Sequence, residues 1–140
     1  MNIAEKEEAL IDSFSIYDDW MDKYEYIIEL GKDLPLISPD HKKDDKIIKG
    51  CQSTVWLHAE MKDGKVSFTA DADAIIAKGI IAILIDVLSD EEPDTIVNAK
   101  LEFIKEIGLQ QHLSPTRSNG LVAMVKQMKR YALALKMTPL

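Results

Sequence analysis

The chain has 140 residues, 46% hydrophobic and 29% charged, enough to bury the core of a single domain spanning residues 1–140. Its 24 acidic residues outweigh 17 Lys and Arg to give a net charge of −7, and an acidic surface repels phosphate backbones, which argues against nucleic acid as a partner. The longest apolar run, "GIIAILI", falls far short of the roughly 20 residues that span a bilayer, so no membrane role is expected.

The opening stretch, "MNIAEKEEALIDSF", is acidic and amphipathic and lacks the basic and apolar regions of a signal peptide. A single cysteine allows no internal disulfide and suits a reducing compartment, so a cytoplasmic location is expected. The first thirty or so residues read as two helices. In the second, Tyr17, Trp20, Met21, Tyr24, Ile27 and Ile28 recur at helical spacing. Asp18, Asp19, Asp22 and Glu25 sit early in it, where carboxylates favour the positive end of the helix dipole. Gly31 marks its end, and Pro35 and Pro39 put residues 34–46 in a loop.

From Ser53 the period changes to two. Val55, Leu57, Ala59 and Met61 share one face, while Thr54, Trp56, His58 and Glu60 share the other. Asp63-Gly64 is a hairpin turn signal, and the return strand places Val66, Phe68 and Ala70 on one face with Ser67, Thr69 and Asp71 opposite. Asp71 or Asp73 can cap the next helix, 74–88, whose only charges are Lys78 and Asp86. That helix is apolar almost all round and belongs at the centre of the core. Two short helices follow, one with Pro93 in its first turn and one ending near Gly108. "SPTRSNG" reads as a turn leading into a last helix that carries Leu121, Met124, Val125, Met128, Ala132 and Leu135. The outline is an α+β fold: a small antiparallel sheet packed against helices.

Cys51 stands in "IIKGCQSTVWL", just ahead of the first strand and outside both of its faces. A lone cysteine is often a small buried hydrophobe. Here Gly50 gives the backbone freedom, and Lys42, Lys43, Lys46 and Lys49 crowd the approach, with Asp44 and Asp45 partly cancelling their field. His41, His58 and His112 show no metal-ligand spacing, and one cysteine cannot hold a metal or an iron–sulfur cluster alone. Thiol exchange, including persulfide chemistry, needs only one mobile sulfur. A Cys–His hydrolase stays open, since its partners need not be close in sequence. Arg117 sits near a helix start, where a cation is unfavourable unless it serves an acidic group or a thiolate. Trp20 and Trp56 read as packing residues.

"DDWMDKYEYIIELGKDLP", "GCQSTVWL", "DADAIIAKG" and "HLSPTRSNGLVAM" together resemble the SufE family of sulfur-acceptor proteins, in family order and spacing from about residue 13 to residue 130. The resemblance implies the α+β fold shared with U-type cluster scaffolds. It also implies a role in iron–sulfur cluster assembly. Cys51 would accept persulfide sulfur from a SufS-like cysteine desulfurase, raise that enzyme's turnover, and pass the sulfur to a SufBCD-like scaffold. Arg117 matches an arginine near the accepting cysteine, and Asp73 matches an acidic residue that influences the cysteine loop. Lys49, Gly50 and Gln52, beside Cys51, would contact the partner. No bound cofactor or metal is implied; pyridoxal phosphate belongs to the partner, and the only added group is a transient persulfide on Cys51. The thiol is expected to rest against apolar groups and to swing out on docking. The family's "GDSDA"-type glycine is Ala70 here. Two alternatives stand beside this reading: an activator that carries no sulfur, and a stand-alone thiol enzyme.

Overall fold

A computed structural model describes residues 1–137. Two N-terminal helices, α1 (Ile3–Ser15) and α2 (Trp20–Gly31), precede a hairpin of β1 (Val55–Lys62) and β2 (Lys65–Ala72). The central helix α3 (Ile75–Leu88) follows. Three short helices, α4 (Pro93–Asn98), α5 (Phe103–Glu106) and α6 (Leu109–His112), lead to the long α7 (Pro115–Met137). No helix of the described residues is long and apolar enough to cross a membrane.

Local chemistry sets the helix starts. Asn2 and Glu5 form a reciprocal capping box on α1, and the Asp19 carboxylate accepts from the Asp22 N–H on α2. Starting α2 at Trp20 leaves Tyr17 outside the helix, where its ring packs 5.1 Å from that of Tyr26. Met21, placed by its spacing in the apolar stripe, faces solvent; Ile27 is the stripe's fully buried member.

The hairpin has the expected register, from Val55 opposite Ala72 to Lys62 opposite Lys65. Asp63 and Gly64 turn it with φ of 53° and 81°, both left-handed, as a primed turn requires. Val55, Leu57, Val66, Phe68 and Ala70 are buried. Residues 34–46 form more than a free loop. Ile37 N–H donates to Ala70 O, and Ala70 N–H donates to Pro35 O, both at 3.0 Å, so the segment pairs with the outer edge of β2. Farther on, the Ile48 N–H donates to Val55 O at 2.8 Å, and Ile47 pairs with Trp56 on the edge of β1. Between these anchors the strap covers the polar face of the hairpin. His41 stacks on His58 at 3.8 Å, and the Lys42 ammonium lies 4.6 Å over the Trp56 ring while bridging to Asp71.

α3 buries eleven of its 14 residues. α2 crosses it at Gly31 and Gly79. A Cβ on Gly79 would fall 2.1 Å from the Ile27 carbonyl oxygen, and one on Gly31 would fall 2.9 Å from the Gly79 nitrogen. From sequence Gly31 reads as a helix terminator. It is indeed the last residue of α2, but the cap that follows at Lys32 is right-handed, so the glycine serves the close crossing rather than a left-handed turn. Two further expectations change. The N-cap of α3 is Ala74, with no side-chain cap. And "SPTRSNG" is not a turn but the first helical turns of α7: Ser114 Oγ accepts from the Arg117 N–H at 3.3 Å, and Pro115 supplies a preset φ at the first position.

Gly79→Ala tests the crossing. The obstacle is backbone, which cannot rotate away, so overpacking will cost about 2 kcal/mol or more in urea unfolding. A loss below about 0.5 kcal/mol would show that the helices slide apart freely.

Candidate functional site: the cysteine loop

Residues 49–54 form a short loop whose two ends are pinned by the Ile48–Val55 hydrogen bond and the Ile47–Trp56 pairing. Buried Ile48 holds the entering strand in the core. Gly50 turns the chain with a φ of 94°, a conformation that side chains resist. The turn sets Cys51 against α7, where its Sγ lies 3.7 Å from the Gly120 carbonyl oxygen and donates to it. The loop packs directly on Gly120: a Cβ there would make ordinary van der Waals contact with Sγ, Cα and Cβ of Cys51 at 3.7 to 3.9 Å.

The thiol is half-buried over a cavity of about 10 Å³, scarcely room for one water. Gln52, Ser53, Ala77, Ile80, Thr116, Arg117, Gly120 and Met124 complete its lining. Cys51, Gln52 and Arg117, the last far from the others in sequence, therefore meet at one site. Lys49 and Gly50 line the next depression along α7. No histidine of the described residues borders the thiol cavity. His112 stacks on Trp20 and His41 on His58, so the three rings are engaged elsewhere. The described residues hold no cluster that could bind a metal ion.

Asp73 acts on this loop directly. Its carboxylate accepts the Thr54 N–H at 3.0 Å, and its own N–H donates to Thr54 O at 3.1 Å. The expected cap on α3 is thus replaced by a brace on the loop's far end. Asp71, the other cap candidate, accepts from Ala72 and bridges to Lys42 and Lys78.

The lysines do not activate the thiol at rest. Lys42 is held by Asp71, Lys46 lies over the Tyr131 ring and Lys43 lines neither depression beside the thiol, leaving Lys49 as the approach lysine that borders the loop. Burial pushes the Cys51 thiol above the ordinary cysteine value. At neutral pH the sheltered group is a protonated thiol, a poor nucleophile.

The family model for SufE, described as an Fe-S metabolism associated domain, matches residues 8–132. The chain belongs to the SufE family. An uncharacterised SufE-like protein of Rhizobium meliloti (strain 1021) is 36% identical over 130 residues, covering 89% of this chain and 93% of that one. A hypothetical protein from Thermus thermophilus, solved in solution, superposes with a TM-score of 0.79 at 19% identity, over 95% of this chain and 97% of its own. That likeness establishes the α+β fold, and membership of the SufE family places the chain in iron–sulfur metabolism.

Thr54, Thr116 and Gly120 join the site without having stood out as site residues in the sequence.

Alkylation by iodoacetamide probes the sheltered thiol. In the free protein its rate will keep rising with pH past the ordinary cysteine range, because burial disfavours the thiolate. Asp73→Ala removes the brace and will raise the rate at neutral pH about threefold or more, by letting the loop open. An unchanged rate in the folded variant would mean that the Asp73–Thr54 pair does not restrain Cys51.

Proposed function

We propose that this SufE-family chain is a sulfur acceptor and carrier whose Cys51 takes persulfide sulfur from a pyridoxal-phosphate cysteine desulfurase, stimulates that enzyme, and delivers the sulfur to an iron–sulfur cluster scaffold in the cytoplasm. The observation that carries this reading is the placement of the only cysteine. It sits at the tip of a short pinned loop, beside an arginine, over a cavity too small for any substrate.

The chemistry follows from that placement. A thiol sheltered at rest is shielded from small oxidants in solution, and a loop held by few bonds can leave its cavity. Once hydrated, Cys51 loses its burial penalty and ionises more readily. The thiolate attacks the outer sulfur of the donor's persulfide. A new S–S bond forms to Cys51, the donor's S–S bond breaks, and the donor cysteine departs as thiolate with the bonding pair. No oxidant is needed, because the outer sulfur moves with its oxidation state unchanged. Arg117, on the cavity rim, offers a permanent cation to the negative sulfur or to an acidic group of the partner. Lys49, Gly50 and Gln52 stand at the face a partner meets first, and all three are exposed.

Incubation with cysteine and a cysteine desulfurase of the same genome will add the mass of one sulfur atom to the chain, and a reductant will remove it. Cys51→Ser will neither gain this mass nor stimulate turnover. Full stimulation by Cys51→Ser would instead support an activator that carries nothing, and turnover of peptide or peroxide without a partner would support a thiol enzyme.

Arg117→Ala will slow sulfur acceptance about tenfold while leaving stability within about 0.5 kcal/mol, because the side chain makes no ion pair among the described residues. Normal transfer by a destabilised variant would assign Arg117 to the fold.

A further inference from the structure

α7 does not share the acidity of the chain. Its sequence, "PTRSNGLVAMVKQMKRYALALKM", holds five of the 17 Lys and Arg residues and none of the 24 Asp and Glu residues. Two of these cations have structural work. Lys129 Nζ donates to the Ala99 carbonyl oxygen at the end of α4, and Lys136 bridges to Asp94 in its first turn. Lys126 and Arg130 are exposed and make no ion pair among the described residues. They stand four residues apart, one above the other on the helix surface. Such like-charged neighbours repel, so the pair is a small cost to the free helix.

The position of this pair relates it to the thiol. Lys126, Arg130 and Lys49 line one open depression of about 490 Å³, with Asn119, Val122 and Gly50. A Cβ on Gly50 would meet Ala123 of α7 at 3.4 Å, so the cysteine loop rests on the same helix face. From Gly120, which holds the thiol, to Arg130 the helix rises about 15 Å. Val122 is 38% exposed within this strip and gives it an apolar centre. The groove on the other side of Lys126 is lined by Lys100, Lys105 and Lys129 with one carboxylate, Glu102, so cations outnumber anions there too.

We infer that the α7 face formed by Lys49, Val122, Lys126 and Arg130 is the docking surface by which this protein engages an acidic surface patch on its sulfur donor. The inference rests on the carrier reading for the identity of the partner. Unpaired cations that repel one another gain by meeting carboxylates, and a cationic strip on an otherwise acidic protein orients the encounter. Docked there, the donor meets the loop at Gly50 and lies beside the thiol. The strip selects the partner and sets the encounter rate, while the chemistry stays with Cys51.

The test measures stimulation of a cysteine desulfurase of the same genome against concentration of the chain, alongside direct binding by anisotropy of a labelled Cys51→Ser chain. Lys126→Glu combined with Arg130→Glu will raise the half-saturating concentration and the dissociation constant about tenfold or more, with the plateau rate unchanged. Raising salt from about 50 to 300 mM will weaken the parent and spare the double variant, since surface charges are screened over a few ångströms at that strength. Lys62→Glu combined with Lys65→Glu, at the hairpin tip, makes the same change in net charge at the strand ends remote from the loop and will have little effect. Equal weakening by both double variants would reduce the effect to net charge and overturn the inference. So would an unchanged half-saturating concentration, or salt-dependent retention on DNA that depends on Lys126 and Arg130 while desulfurase binding does not. Salt-sensitive, α7-dependent binding without any sulfur transfer would keep the surface and refute the carrier.

Discussion

α3 has almost no side to offer water, and the rest of the fold is arranged around that fact. A helix apolar all round must be covered all round. A two-stranded hairpin covers only one flank and is marginal alone. α2 closes another flank at the shortest distance backbones permit, through Gly31 and Gly79. α1 and α7 complete the enclosure, and Lys6 of α1 reaches the carbonyl of Ser89 at the helix's C-terminal end, where a cation is favoured. The thiol site is a by-product of this enclosure. Ala77 and Ile80 of α3, with Met124 of α7, form the apolar floor over which Cys51 rests.

That floor creates a tension between shelter and reactivity. Burial holds the thiol protonated, and the loop is kept closed by weak and few contacts: one sulfur–carbonyl contact at Gly120 and the Asp73–Thr54 pair. Each is worth on the order of 1 kcal/mol, small enough for a docking surface to outweigh. On the proposed function, protection in the free state and reactivity in a docked state would come from one equilibrium, set by residues other than Cys51 itself.

Much of this is legible in the sequence, and the exceptions have physical reasons. The hairpin can be read because period-two alternation and Asp63-Gly64 agree, and α3 because residues 74–88 carry only Lys78 and Asp86 as charges. The site residues come from the resemblance more than from local chemistry; the lysine-rich approach to Cys51 points to a field that the folded chain directs to Asp71 and Tyr131. Asp73 reads as a helix cap because caps are local, whereas its partner is 19 residues away. Yet the turn at 63–64 fixes the register, and the same register continued by one pair sets Thr54 opposite Asp73. Gly31 marks the end of α2 as expected, yet its second role, admitting α3, is hidden for a related reason. A glycine at a helix end looks the same whether it turns the chain or admits a neighbour, and only the packing tells them apart.

The pinning of the cysteine loop has a consequence for distance. Ile48 is buried and paired with Val55, so Cys51 hangs three residues from a fixed point. A fully extended chain covers at most about 3.5 Å per residue, which holds the Cys51 backbone within about 10 Å of that anchor however widely the loop opens. The loop is a short tether and therefore a ruler. In the proposed carrier role, a donor whose reactive sulfur lies deeper than this below its own surface would have to bring it outward on a mobile segment of its own. Longer loops cost little extra entropy, so the shortness of this one is no thermodynamic limit; for a carrier, the length of the tether would specify which sulfurs are within reach.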